Sequence, residues 1–484
     1  VLRGWLARAV PALEAARERI DAVNVFPVPD GDTGTNVLLT VRGAADEVVA
    51  AGPGADGPAV LRALARGALL SARGNSGVIL SRYLGGLVAA GSAPLPEALR
   101  QAAVAARSAV PEPQDGTVLT VAAVVAEAAG AAHGPGADDA AVLAAGVAAG
   151  RADLGRISAA HPVLSSARVV DAGGAALLVL LDALAGALAG SRAAVDLGWL
   201  PAPAATPGDG HHDPAPTPAA GAGAAAGTGT PGYEVVALLR AADASAAERL
   251  AATLSGALAA VGDAVAVVAG DGPVTAHVHA ARPADVTPLL AAGGARWTAT
   301  VRTLLGAARP VVACTASAGS ATLLADAGAV AVVLPDGVPA DEARAAVARA
   351  VQDALAPVHA RPGPGAAGPA AVATTAGGTT GTGGAASTVA VGPDPTAVTV
   401  LPGDRLAPAD LDPAWTVPAG ACDDAGVLAA LSAPAPSDAP GRNAVPGHPD
   451  ASGQSDASGR PEVPDRAVPG RPGRPSDAPA EVHP

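Results

Sequence analysis

The sequence predicts a multidomain chain: an all-α N-terminal domain of eight helices, then α/β domains, then a disordered C-terminal tail. Three observations carry the prediction. Apolar residues recur at helical spacing through about the first 195 residues, with no convincing strand among them. From about 231 the pattern changes to short β-type runs alternating with amphipathic segments. After about 434 bulky apolar residues almost vanish, and Pro, Ser, Asp and Gly dominate.

Eight helical segments follow from periodicity and breakers: 3–23, 34–51, 58–72, 76–90, 95–109, 117–132, 138–152 and 173–190. If they alternate up and down, their connections alternate between two ends. The loops after the second, fourth and sixth helices read AGPGADG, GSAPL and GAAHGPGAD and carry little chemistry. Those after the first, third, fifth and seventh are NVFPVPDGDTGTN (24–36), SARGNSG (71–77), VPEPQDGT (110–117) and the 158–174 segment ending VVDAGG. All the Asp-, Asn-, Ser- and Gly-rich loops therefore fall at one end, where four helices begin and present free N–H groups and partial positive charge. Asp32, Ser76 and Thr117 are expected caps. The last segment, 173–190, is the most apolar; Asp182 and its opening glycines mark it as a buried helix rather than a membrane span.

The 24–36 loop is the chemically pointed one. Asp30 and Asp32 flank one glycine and empty into a helix start. Paired carboxylates hold a hard divalent cation and a helix N-terminus holds an anion, so together they suit a metal-bound polyphosphate. The simpler reading is an Asp-Gly turn with a helix cap.

Composition narrows the chemistry. All thirty cationic side chains are Arg, which excludes a Schiff-base lysine and the lysine of a Walker-type loop. The formal charge of −14 argues against a general nucleic-acid binder. Cys314 and Cys422 lie too far apart in sequence to form a CxxC signature, and fit a reducing cytoplasm. The N-terminal segment spreads charge through a helical pattern and does not read as a signal peptide.

NVFPVPDGDTGTN, ARGNSGVIL, GTVLTV and VVDAGG, in this order, resemble the nucleotide-binding domain of the dihydroxyacetone-kinase large-subunit (DhaL) type, most of all its form in the A subunit of bacterial fatty acid kinase. The resemblance covers about residues 1–195. It implies an eight-helix barrel with ATP at one rim and Mg2+ on the acidic turn. Asp30 and Asp32 would be metal ligands, with the third open between Asn24 and Asp21. Thr33, Gly34, Asn36, Gly74, Asn75, Ser76 and Gly77 would meet the phosphates or nucleotide, and Gly116, Thr117, Asp171 and Gly173 would line the same rim. Ser71 and Arg168 stand where the family usually has glycine, and the 110–116 loop is longer than usual. Arg73, the one cation inside a motif, either stabilises charge developing in phosphoryl transfer or braces a loop by an ion pair.

A linker is expected at 196–230, its His211 and His212 pair read as linker composition. A middle α/β domain is expected at 231–305, with strands in GYEVVALLR, DAVAVVAG and VTAHVHA and a helix from Ala246 to Val261. His277 and His279 share one strand face at workable zinc spacing. In the family a cysteine follows the Gly-Tyr pair; here Glu234 follows Tyr233, so a sheet-face pair contacting a partner domain is preferred to zinc. A C-terminal α/β domain is expected over 306–434 with a low-complexity insert at 363–387 and a short strand at 397–401, and a tail over 435–484.

The resemblance implies an ATP-dependent kinase subunit that phosphorylates a fatty acid carboxylate presented by a DegV-like carrier, which the appended domains would dock unless they instead join two protomers as a homodimer. The alternatives are the ATP-binding subunit of a dihydroxyacetone-type kinase, or a non-catalytic nucleotide-binding scaffold.

Overall fold

The computed structural model describes residues 1–201, 232–304, 310–355, 398–403, 405–407 and 411–413. His211, His212, Cys422, the low-complexity insert, the tail and most of the expected linker lie outside them.

The helical region comprises α1 (Leu2–Ala22), α2 (Thr33–Ala50), α3 (Gly57–Leu70), α4 (Gly74–Ala89), α5 (Leu95–Arg107), α6 (Val118–Ala132), α7 (Asp139–Ala159), α8 (Pro162–Ala167) and α9 (Ala172–Leu188). The eight expected helices are present, and two details differ. The seventh runs on to Ala159 because Gly155 points into open space and costs only helix propensity. The loop expected at 158–174 contains α8, started by Pro162 in its first turn and stopped by Arg168 in a left-handed conformation (φ 56°). Arg168 thus stands at a site that suits glycine.

α1 packs against both α2 and α9, so the helices close into a ring. The Trp5 indole fastens the closure, donating to the Leu180 carbonyl at 3.0 Å. α9 is buried nearly all round, with Leu177, Leu178, Val179, Leu180 and Leu181 within one core. Each such side chain contributes about 2 kcal/mol of burial free energy. No described helix is long and apolar enough to cross a membrane.

The second region comprises β1 (Tyr233–Arg240), α10 (Ala244–Ala259), β2 (Gly262–Ala269), β3 (Pro273–Ala280), α11 (Pro283–Ala292), β4 (Arg296–Thr303), β5 (Val311–Thr315), α12 (Ala318–Asp326), β6 (Val330–Val333), α13 (Ala340–Leu355) and β7 (Thr399–Leu401). Its strands form one sheet, ordered β2-β3-β1-β4-β6-β5-β7. The segments expected as middle and C-terminal domains share this sheet, joined where β4 pairs antiparallel with β6.

Strand alternation sorts side chains to two faces. Val235, Ala237 and Leu239 of β1 join the core with α10, α11 and α12. The opposite face of β1, β3 and β4 carries Glu234, Val236, His277, Thr298, Thr300 and Arg302 and turns toward the helical region. The two regions meet there. Thr275 Oγ1 donates to the Leu69 carbonyl at 2.9 Å, the Val267 amide donates to the Ala109 carbonyl at 3.0 Å, and Leu69, Ala72, Val78, Ala266 and Val268 pack together.

Candidate active site

The acidic turn is built by support from beneath. Gly31, between the two aspartates, takes φ +70°, which favours glycine. Gly34 lies against α1, where an added Cβ would fall 2.6 Å from the Arg17 carbonyl oxygen. Asp21 receives the Thr35 amide at 3.1 Å and the Thr35 hydroxyl at 2.8 Å. Burial pushes its carboxyl up to about 6. Asn24 donates to Asp30 Oδ1 at 2.6 Å and accepts from Thr33 at 2.9 Å. Of the two candidates for a third ligand, Asp21 thus already engages both oxygens with Thr35, while Asn24 directly holds Asp30.

Asp30 and Asp32 line one cleft with Thr35, Asn36, Arg73 and Arg302. Burial, then the charge of Asp32, push the Asp30 carboxyl up to about 8 against the pull of Arg302. Asp32 precedes α2, but its side chain makes no capping bond. It accepts instead from Asn36 Nδ2 at 2.8 Å and from Arg302 Nη2 at 2.5 Å. The simpler expectation, a capped Asp-Gly turn, is therefore not what is built. Ser76 also does not cap; α4 starts at Gly74, and the Ser76 hydroxyl lies 3.2 Å from that of Thr33. Thr117 does cap, accepting from the Leu119 amide, and Asp171 caps α9, accepting from the Gly174 amide at 2.6 Å.

The four loops expected at one end are brought together. The Thr33–Ser76 contact joins the first and second, and the Phe26 ring lies tilted against His161 of the fourth, with centroids 4.1 Å apart. Val37, Ser76, Val118 and Gly173, at the starts of α2, α4, α6 and α9, line one apolar pocket whose floor includes Tyr83. Asn36 and Gly74 also touch, and Gly116 (φ +84°) abuts His161. Asn75 points away from this pocket and meets His277 Nδ1 at 2.9 Å.

Arg73 lines the cleft, yet its guanidinium is taken up by Asp353 and by the carbonyls of Arg349 and Ala72. The cation on the acidic turn is Arg302. β4, which carries it, has no counterpart among the expected elements; the alternation in RWTATVRT, with Trp, Thr and Val, was the available signal. Register places Glu234 between His279 of β3 and Arg302 of β4. Arg302 Nε pairs with Glu234 Oε2, and Glu234 Oε1 lies 3.0 Å from His277 Nε2. Burial alone would raise the Glu234 carboxyl; Arg302 and His277 overcome it and hold it well below the usual carboxylate range. Burial, then His277, push His279 down to about 3, so its imidazole is neutral.

Glu234, His277 and His279 place potential ligand atoms within 4.8 Å of one another. They do not fit a zinc ion as they stand: both Glu234 oxygens and both His277 nitrogens are engaged, and a guanidinium already supplies positive charge. The preferred expectation, a histidine pair on a sheet face at a domain contact, matches His277. The acidic turn suits a divalent cation with a polyphosphate through Asp30, whose one side-chain hydrogen bond comes from Asn24, and through Asp32 once it gives up Arg302. It offers two hard carboxylates, one with a raised pKa that a cation would lower, beside the starts of α2 and α4.

Residues 27–186 match the DAK2 domain, and residues 230–304 match the middle domain of the FakA-like (fatty acid kinase) family. Protein YloV of Bacillus subtilis is 33% identical over 280 residues, covering 55% of this chain and 48% of that protein. An uncharacterized protein of Staphylococcus aureus is 34% identical over 183 residues, covering 36% of this chain and 33% of its own length. This chain thus spans half or less of these relatives. The crystal structure of the dihydroxyacetone kinase of C. freundii aligns over 38% of this chain and 34% of its own, with 18% identity and a TM-score of 0.29. In order along the chain, then, residues 27–186 are similar to a DAK2 domain and residues 230–304 to a FakA-like middle domain.

Proposed function

We propose that this chain is the ATP-binding subunit of a phosphotransferase that moves the γ-phosphoryl of Mg-ATP to a fatty acid carboxylate, presented by a DegV-like carrier. The observation that carries the reading is the pair Asp30 and Asp32 on a tight turn, in a cleft beside the starts of α2 and α4. Asp30 and Asp32, with Asn24 in support, would hold Mg2+, which when bound neutralises phosphate charge. Backbone N–H groups of Gly74 and Asn75, with the Thr33 and Ser76 hydroxyls, would orient phosphate oxygens, while the N–H groups of Asn36 and Gly77 close the first turns of α2 and α4 and that of Gly34 faces Asp21. Gly116, Thr117, Asp171 and Gly173 would bound the nucleotide side of the rim.

A fatty acid carboxylate is an anion at neutral pH and attacks without a general base. The residues' task is then positioning and charge neutralisation, which accounts for a site without lysine. The fatty acid version is favoured over dihydroxyacetone by the match of 230–304 to the FakA-like middle domain. The cytoplasm is the compartment where this substrate and ATP meet.

The test is incubation of the chain with labelled ATP, Mg2+ and a fatty-acid-loaded DegV-like protein, trapping acyl phosphate with hydroxylamine. Acyl hydroxamate formation is expected. Turnover with dihydroxyacetone but not with fatty acid would replace the substrate assignment, and nucleotide binding without transfer to either would leave a scaffold.

A further inference from the structure

The cation that the motifs offer, Arg73, has its donors spent on Asp353 and two carbonyls. The cation that reaches the acidic turn comes from the sheet. Arg302 Nη2 donates to Asp32 Oδ2 at 2.5 Å while Nε is tethered to Glu234, a buried carboxylate braced by His277. His277 in turn touches Asn75 on the ARGNSG loop. A single relay, Asp32–Arg302–Glu234–His277–Asn75, thus spans two of the loops at the candidate phosphate site.

In this arrangement both oxygens of Asp32 are engaged, one by Asn36 and the other by Arg302. Arg302 therefore stands where positive charge is wanted on the turn. A divalent cation and a guanidinium on one carboxylate oxygen are competitors. A guanidinium beside a polyphosphate is instead a favourable partner, able to take two oxygens at once.

We propose that Arg302 is the phosphate-binding cation of this site, parked on Asp32 in the structure and transferred to a phosphate oxygen when Asp32 turns to a divalent cation, with Glu234 holding the guanidinium in place throughout. The middle domain is then part of the nucleotide site. The inference rests on reading the acidic turn as a metal–nucleotide site, and it gives Arg302 opposite effects on two ligands. It weakens binding of the free divalent cation and strengthens binding of the cation–nucleotide pair.

The test uses the full chain and Mn2+, followed by electron paramagnetic resonance and calorimetry, alone and with a non-hydrolysable ATP analogue. Arg302→Met should bind free Mn2+ roughly tenfold more tightly, since one unit charge a few ångströms from the carboxylate is removed. It should bind the Mn2+–analogue pair at least tenfold more weakly. Arg302→Lys, which keeps the charge and the fold, should bind free Mn2+ within about twofold of the native chain and keep part of the analogue affinity. The gain in free Mn2+ binding should vanish when Asp32→Asn is added to Arg302→Met. Unchanged or weaker free Mn2+ binding in Arg302→Met would overturn the proposal, as would a gain that survives Asp32→Asn and is lost with His279→Ala. So would unaltered analogue affinity. Native chain that binds neither Mn2+ nor the analogue would remove the metal–nucleotide reading itself, whereas native binding with an indifferent Arg302 removes this role alone.

Discussion

Glu234 holds Arg302, which reaches from the sheet to the acidic turn, and its removal has a calculable cost. Its side chain is 5% exposed and receives Arg302 Nε on one oxygen and His277 Nε2 on the other. Glu234→Ala loses one charge-assisted bond and one imidazole bond, and leaves His277 Nε2 buried without a partner. Breaking a fully buried ion pair costs about 3–5 kcal/mol. Arg302 is 24% exposed and keeps Asp32, so the lower end applies, about 3 kcal/mol. Glu234→Gln keeps the shape and one hydrogen bond and should cost about 1–2 kcal/mol. Urea unfolding followed by far-UV circular dichroism measures both, and hydrogen exchange locates the loosening, expected at 24–36, 72–77, β1 and β4. A loss under about 0.5 kcal/mol for Glu234→Ala, the range of ordinary surface changes, would refute the reasoning. So would a loss with unaltered exchange at 24–36.

Other outcomes follow from single contacts. Arg168→Gly should stabilise the chain by about 1 kcal/mol in the same urea assay, because it relieves a left-handed backbone at the end of α8. Gly34→Ala should cost about 1–3 kcal/mol, since the new Cβ would lie 2.6 Å from a backbone oxygen of α1 that cannot move aside without shifting the helix. Asp171 gives a pH dependence: burial raises its folded pKa from 3.8 to about 6. Its contribution to stability is fully present below about pH 4 and is lost as pH rises through about 6, an effect of up to about 3 kcal/mol. Asp171→Asn should abolish that part of the difference between unfolding at pH 4.5 and pH 7. An identical difference in native and variant chains would contradict it.

Much of the helical region was legible because its signals are local. Periodicity marks the long helices, and the alternation of bland and chemical loops is what one ring of antiparallel helices produces. Asp30 and Asp32 could be found from a turn of two carboxylates around one glycine. What escaped depends on distant pairing. Arg302 is a surface-like residue in sequence, and only the pairing of β4 with β1 sets it beside Glu234 and within reach of Asp32. Arg73 looked like the site's cation because it sits inside a motif; its partner Asp353 lies 280 residues away on α13. Ser76 looked like a cap because it opens an apolar run, but the helix begins two residues earlier on Gly74, at φ +55°. The joining of two expected α/β domains into one sheet also rests on a strand pair, β4 with β6, that no local pattern announces.

The central claim is that Asp30 and Asp32 hold a divalent cation together with a nucleotide. Calorimetric titration of the full chain with ATP, with and without Mg2+, tests it most directly, alongside Asp30→Asn and Asp32→Asn shown by circular dichroism to be folded. Saturable binding near one nucleotide per chain that requires Mg2+, and that falls at least tenfold in either variant, is the expected result. Equal ATP binding without Mg2+, or full Mg2+-dependent binding in both variants, would contradict the account.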